Sequence, residues 1–271
     1  MNSQYPDFYC GDVINEIVPD MHTQKPTNEE RESGLRVYKD NKKIKWNEYI
    51  GQDEKENDYY IEILKLAREK MTNKKLFYNE YGEQYPEKRK AILNVINKIK
   101  DYEKKNNVTL LDGIGLQSHY DLNITPQQIE QIYDEFISTG KEIQVTEMDV
   151  APGRNEKGEN LEYNPDNIEQ YSKIWNKVFE MCDKHGIKSF TGWGVNDSLS
   201  WYRNIGCTMV DKKGNIKEFA KNYIEGIFSK NLLNDVIEYT KDTIKMRDIN
   251  EQKNEIMSID SPEKQGKQEI K

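Results

Sequence analysis

Short runs of strand-forming residues alternate along this chain with longer runs in which apolar side chains recur every three or four positions. The stretch DFYCGDVIN, residues 7–15, reads as a first strand. After a polar loop, NDYYIEILKLAREKM puts Tyr60, Ile63, Leu64, Ala67 and Met71 on one helical face. KLFYN, from Lys75 to Asn79, predicts the next strand, and the helix after it opens with Pro86 at a first helical position and carries Ile92, Val95, Ile96, Ile99 and Tyr102 as its stripe. DGIGLQSH, Asp112 to His119, is strand-like; Thr125 to Gln128 has the capping-box form, and Ile129, Ile132, Tyr133 and Phe136 bury the helix that follows, with Gly140 as its stop. EIQVTEMDV, Glu142 to Val150, predicts a fourth strand, followed by a helix with Ile168, Tyr171, Ile174, Trp175, Val178 and Cys182 inward and Gly186 at its end. IKSFTGWG, Ile187 to Gly194, is a fifth strand, and Ile216 to Phe228 a fifth helix.

Strand and helix alternating in this way argue for an α/β architecture, a parallel sheet with helices packed outside it. Right-handed crossovers then bring every strand's C-terminal end to one side. Beyond Phe228 the pattern changes: residues 230–271 form a charged extension, with one amphipathic helix through Leu233, Val236, Ile237, Thr240 and Ile244 and disorder expected from Asn250 to Lys271.

Composition narrows the function classes. With 40 basic against 48 acidic side chains the chain is mildly acidic and offers no electrostatic reason to bind nucleic acid. No apolar run approaches the roughly 20 residues of a membrane span, and the opening MNSQYPDFYC lacks the features of a signal peptide. Cys10, Cys182 and Cys207 are too scattered for a disulfide framework or a zinc site and read as unpaired, buried thiols.

In a parallel α/β layout the chemistry sits where the strands end. Here they end in Asn15-Glu16, Asn79-Glu80-Tyr81, Gln117-Ser118-His119, Thr146-Glu147-Met148-Asp149 and Trp193-Gly194. Taken singly, either Glu16 or Glu147 reads as an ordinary solvated glutamate, His119 as a structural histidine and Trp193 as core. His22 and His185 match nothing and read as surface residues; Trp46 and Trp175 read as packing residues. Together, two carboxylates on different strands with Gln, His, Asn and Trp beside them are the inventory of a glycosidase. No glycine-rich phosphate loop, Cys-His pair or serine elbow competes with that reading.

At these residues the sequence resembles the family 10 glycoside hydrolases, the endo-1,4-β-xylanases. DVINE, Asp12 to Glu16, is similar to their acid/base motif and VTEMDV, Val145 to Val150, to their nucleophile motif; KLFYNEY, DGIGLQSHY and FTGWGVNDSLSW follow the family pattern in order. The resemblance runs from about Tyr5 to Phe228. It implies a (β/α)8 TIM barrel and hydrolysis of xylan with retention, in which Glu16 is the general acid/base and Glu147 the nucleophile, about 5 to 5.5 Å apart. Under it, His119 fixes Glu147 and Asp149, which period-2 alternation puts on one side of their strand. Asn15 holds the sugar 2-hydroxyl, Gln117 helps position the nucleophile and that hydroxyl, Trp193 and Trp201 stack on sugar faces, and Asn79 and Tyr81 help line the leaving-group side. No metal or organic cofactor is needed, and the family's usual place of action is extracellular.

The departures matter as much. Five βα units are visible where a barrel has eight, and they resemble strands four to eight, so residues 1–229 read as an incomplete catalytic barrel that lacks an N-terminal segment. Gly11 stands where the family usually has an aromatic and is expected to leave a hole or a flexible point under the acid/base strand. Two alternatives therefore stay open: a truncated, non-catalytic remnant that binds xylan, and a related enzyme acting on another β-glycan.

Overall fold

The computed structural model describes residues 8–37, 58–153, 168–202 and 206–221. They fall in two compact units, Met1–Trp193 and Gly194–Lys271. The first holds a six-stranded sheet in which every pairing is parallel. Its strands are β1 (Cys10–Asn15), β2 (Lys75–Glu80), β3 (Gly113–Leu116), β4 (His119–Asp121), β5 (Glu142–Ala151) and β6 (Phe190–Gly192). Between them run helices α1 (Asn28–Ser33), α2 (Tyr59–Lys70), α3 (Pro86–Asn106), α4 (Pro126–Ile137) and α5 (Ile168–His185). The strand order is β1-β2-β3-β5-β4, with β6 also pairing with β5. This is the α/β sheet the pattern predicts, with its C-terminal ends on one side.

The helices form where expected because their stripes meet the sheet. In α4, Thr125 and Gln128 make both bonds of the capping box, and Ile129, Ile132, Tyr133 and Phe136 are buried. In α5, Trp175 is fully buried and packs on Phe179 and on Phe190 of β6, with ring centroids 5.9 and 6.3 Å away. Pro86 opens α3, whose buried face includes Ile92, Val95, Ile96 and Ile99, while Tyr102 stays half-buried. The sequence pattern missed α1, although Thr27 and Glu30 form a second capping box there. The predicted helix from Ile216 is helical over residues 218–221, and everything after that, including the charged extension, lies outside the described residues, as does Trp46.

Three departures from regular pairing lie close to the strand ends. DGIGLQSH does not form one strand: it breaks into β3 and β4 at Gln117-Ser118, where Ser118 has φ 54. The register of β1 on β2 shifts between Asp12 and Ile14, and that of β5 on β6 between Val145 and Met148. Extra or turned residues of this kind re-aim side chains that strict alternation would send elsewhere.

Several side chains differ from expectation. No hole opens at Gly11, because a Cβ there would already meet Met71 Cε at 3.3 Å. His22 stacks on Tyr85 with centroids 3.6 Å apart, and His185 Nε2 lies 3.0 Å from the Asp134 carboxylate; neither is a free surface residue. Cys182 and Cys207 are buried thiols as expected, but Cys10 is only half-buried, with its Sγ 3.6 Å from Gln144 Oε1. In the second unit, Lys217 is buried and donates to Asp197 Oδ1 and to the carbonyls of Gly206 and Thr208 at 3.1, 2.8 and 2.8 Å.

Gly115 of β3 allows a close approach to the side chains of Asn79 and Thr146. A Cβ there would sit 2.5 Å from Asn79 Oδ1 and 2.8 Å from Thr146 Cγ2. Gly115→Ala should cost about 1–3 kcal/mol of stability in a denaturant titration, because two packed neighbours must move; an unchanged midpoint would count against this packing.

Candidate active site

The strand ends converge on one chain of hydrogen bonds. Gln117 Nε2 donates to Glu16 Oε1 at 3.1 Å and reaches Asn15 Oδ1 at 3.5 Å. The same Asn15 oxygen accepts from Asn79 Nδ2 at 3.0 Å, and Asn79 Nδ2 also donates to Glu147 Oε1 at 2.8 Å. Thr146 Oγ1 donates to Asn79 Oδ1 at 2.6 Å and so fixes which end of that amide faces the carboxylate. Glu147 Oε2 lies 3.5 Å from His119 Nε2, and His119 Nδ1 lies 2.8 Å from Asp149 Oδ1. The ends of β1, β2 and β3, the middle of β5, which runs on to Ala151, and the start of β4 thus hold the two glutamates in one network.

Glu16 follows β1 with φ 54, a conformation that side chains rarely adopt. Its amide donates to the Asn79 carbonyl at 3.0 Å, and its carbonyl accepts from Arg36 Nε at 3.1 Å. Arg36 also donates to the Val18 carbonyl at 2.9 Å, so one guanidinium pins the backbone on both sides of Ile17. Strain held in place by surrounding bonds is common where a side chain must be aimed.

Asp149 is fully buried and His119 largely so. Burial alone would push the imidazolium toward its neutral form, but the hydrogen bonds and charges of Asp149 and Glu147 outweigh it and hold the pKa at about 9, against an ordinary 6.5. A charged His119 donates from both nitrogens, so it orients Glu147 and Asp149 together, as the sequence suggests.

Other predicted residues sit differently. Gln117 is bonded to Glu16 and Asn15, so it serves the first glutamate rather than the second. Asn79 is 3% exposed and holds side chains in place, so lining an open leaving-group surface is not its position. The Tyr81 hydroxyl donates to Asp20 Oδ1 at 2.6 Å and accepts from Arg36 at 2.9 Å, while Lys88 Nζ lies 3.1 Å from its ring centroid. Trp193 is 44% exposed and meets His119 edge-on with centroids 6.3 Å apart. Trp201 belongs to the second unit and is 59% exposed there.

The sequence did not single out the supports. Lys88 is fully buried, 3.3 Å from Glu80 and 3.4 Å from Asp20. Glu80 accepts from the Val18 amide and the Tyr78 hydroxyl at 3.0 and 2.9 Å. Burial pushes Lys88 down and Glu80 up, against their mutual attraction. Nothing in the local sequence distinguishes these charges from solvated ones; only a partner distant in the chain makes their burial tolerable.

Known proteins are similar to this chain in sequence and fold. The family model of glycosyl hydrolase family 10 matches residues 1–225. The chain is 34% identical over 199 residues to endo-1,4-beta-xylanase A of Thermotoga maritima, covering 71% of this chain and 16% of that protein. It is 29% identical over 205 residues to endo-1,4-beta-xylanase A of Caldicellulosiruptor saccharolyticus, covering 73% and 52%. A solved endo-1,4-beta-xylanase from Caldicellulosiruptor owensensis is 27% identical, with a TM-score of 0.62 over 80% of this chain and 63% of that one. The chain therefore spans only part of the relatives it matches.

The His119 geometry makes a pH-dependent contribution. Because its pKa is raised on folding, the stability it adds is complete below about 6.5 and is lost as the pH climbs through about 9. An NMR titration of the imidazole should give an apparent pKa near 9 in the native chain, and Asp149→Asn should lower it by about one pH unit or more; a value unmoved by that substitution would remove Asp149 from the account.

Proposed function

The chain belongs to glycosyl hydrolase family 10, and from that premise we propose that it carries the catalytic residues of a retaining endo-1,4-β-xylanase. The observation that supports this best is the hydrogen-bond chain from Glu16 through Gln117, Asn15 and Asn79 to Glu147 and His119. It joins two carboxylates from different strands and gives each a different set of partners. That difference suits two carboxyl groups with two different tasks.

In the proposed reaction a Glu147 oxygen attacks the anomeric carbon of a β-1,4-linked xylose unit as the bond to the leaving oxygen breaks. The leaving oxygen keeps the bonding electron pair and takes a proton from Glu16. In the second half Glu16 removes a proton from water, the hydroxide oxygen bonds to the anomeric carbon, and Glu147 departs with its electron pair. His119, charged between Glu147 and Asp149, keeps Glu147 aimed while lessening repulsion between the two acids. Asn15 Oδ1 is already occupied by Asn79 and Gln117, so its Nδ2 is turned to donate to a sugar hydroxyl. Trp193 is exposed and offers aromatic surface that suits the apolar face of a pyranose ring.

A mechanism-based label separates this reading from simple xylan binding. Incubated with a 2-fluoro-xylobioside bearing an activated leaving group, the folded chain should gain one sugar adduct, mapped by peptide mass to Glu147. Glu147→Gln should abolish the adduct. Glu16→Ala should leave adduct formation largely intact, because an activated group departs without a proton, while xylan hydrolysis falls by about 10²–10⁴. A folded chain that binds xylan without forming the adduct would be a binding protein only.

A further inference from the structure

The turn that carries both Gln117 and His119 is itself held from one neighbouring segment. The Gln117 amide donates to the Glu80 carbonyl at 3.0 Å, the Ser118 amide to Glu83 Oε1 at 3.0 Å, and Gln84 Nε2 to the His119 carbonyl at 2.9 Å. Three successive residues are thus gripped by the stretch from Glu80, the last residue of β2, to Gln84. Glu83 is the central grip, and it is completely buried. Its own carbonyl accepts from Arg89 at 2.8 Å, and Arg89 is paired with Glu135, so the backbone that carries the carboxylate is anchored.

Ser118 needs such a grip. It has φ 54 without being glycine, and it is fully buried, so its amide has no water to turn to. An amide bonded to a carboxylate is stronger than one bonded to a neutral oxygen. If Ser118 relaxed toward an extended conformation, β3 and β4 would join into one regular strand, and the side chains on either side of it would be re-aimed.

We propose that Glu83 is a positioning residue for both glutamates at once: by holding the Ser118 amide it sets the turn whose outer side chains, Gln117 and His119, orient Glu16 and Glu147. Burial pushes the Glu83 carboxyl above the usual range, opposed by surrounding donors and the charge of His119. A buried acid is a costly way to fill space, and the geometry gives it a reason. The inference rests on the reaction proposed above, so its test reads geometry and chemistry separately.

The chemical arm is the rate at which the 2-fluoro-xylobioside label forms on Glu147 at saturation, measured in the full chain. Glu83→Ala should lower the limiting rate by about ten- to a hundredfold while the half-saturating concentration changes by less than about twofold. Glu83→Gln, which keeps an acceptor for the amide, should restore the rate to within about threefold. A wild-type rate in Glu83→Ala, or an equal loss in Glu83→Gln, would overturn the proposal. Should Glu83→Ala not fold, Glu83→Asp takes its place: the shorter arm withdraws the acceptor, and an unaltered rate would again overturn it. The geometric arm is NMR. In the variant, the Ser118 amide should lose exchange protection, and the Gln117 side-chain amide and His119 ring should both shift; if those two do not move, the inference fails. A wild-type chain that forms no label sinks the catalytic reading alone, and the NMR result still decides the role of Glu83.

Discussion

An imidazolium lodged between two carboxylates is the interaction on which the rest of the strand-end site depends. His119 joins β4 to two residues of β5, and its charge is what makes a fully buried Asp149 tolerable beside Glu147. Without the proton, two acids would face each other across a neutral ring in a poorly solvated space. With it, both are bonded and both are aimed. The remaining bonds extend from that point: Asn79 takes the free side of Glu147, Asn15 takes Asn79, and Gln117 closes the path to Glu16.

Such a network needs side chains aimed more closely than strand alternation allows, and the backbone supplies the correction. Shifts of register in β1 and β5 and the break between β3 and β4 all lie within a few residues of the polar strand ends. Two of the turned positions, Glu16 and Ser118, are left-handed without being glycine. Each is held by partners from other elements, Arg36 and Asn79 for the first and Glu83 for the second. A further charge group, buried Glu80 and Lys88 with the half-buried Asp20, ties the loop after β1 to the start of α3. The site is therefore supported by paired charges as much as by apolar packing.

The chain belongs to glycosyl hydrolase family 10, and the chemistry proposed for it draws on these features. The chain spans 16% of one xylanase it resembles and 52% of another. What its site residues can do to a polymer depends also on how many sugar units are held around them.

Read alone, the sequence determined the alternation of strand and helix, the faces the helices bury and the ends at which polar residues gather. Those are local matters of period and capping: Thr125 with Gln128, or Trp175 and Val178 on one stripe, declare themselves within a few turns. It also pointed to Glu16, Glu147, His119 and Asp149 through an ordered set of motifs. Tertiary structure decided which carboxylate Gln117 serves, that Asn79 is a buried brace, and that Lys88, Glu83 and Arg36 are supports. A charged residue in a helix or loop reads as solvated until a partner from a distant part of the chain is brought against it. That encounter, and the bulges that permit it, arise only when the strands pair.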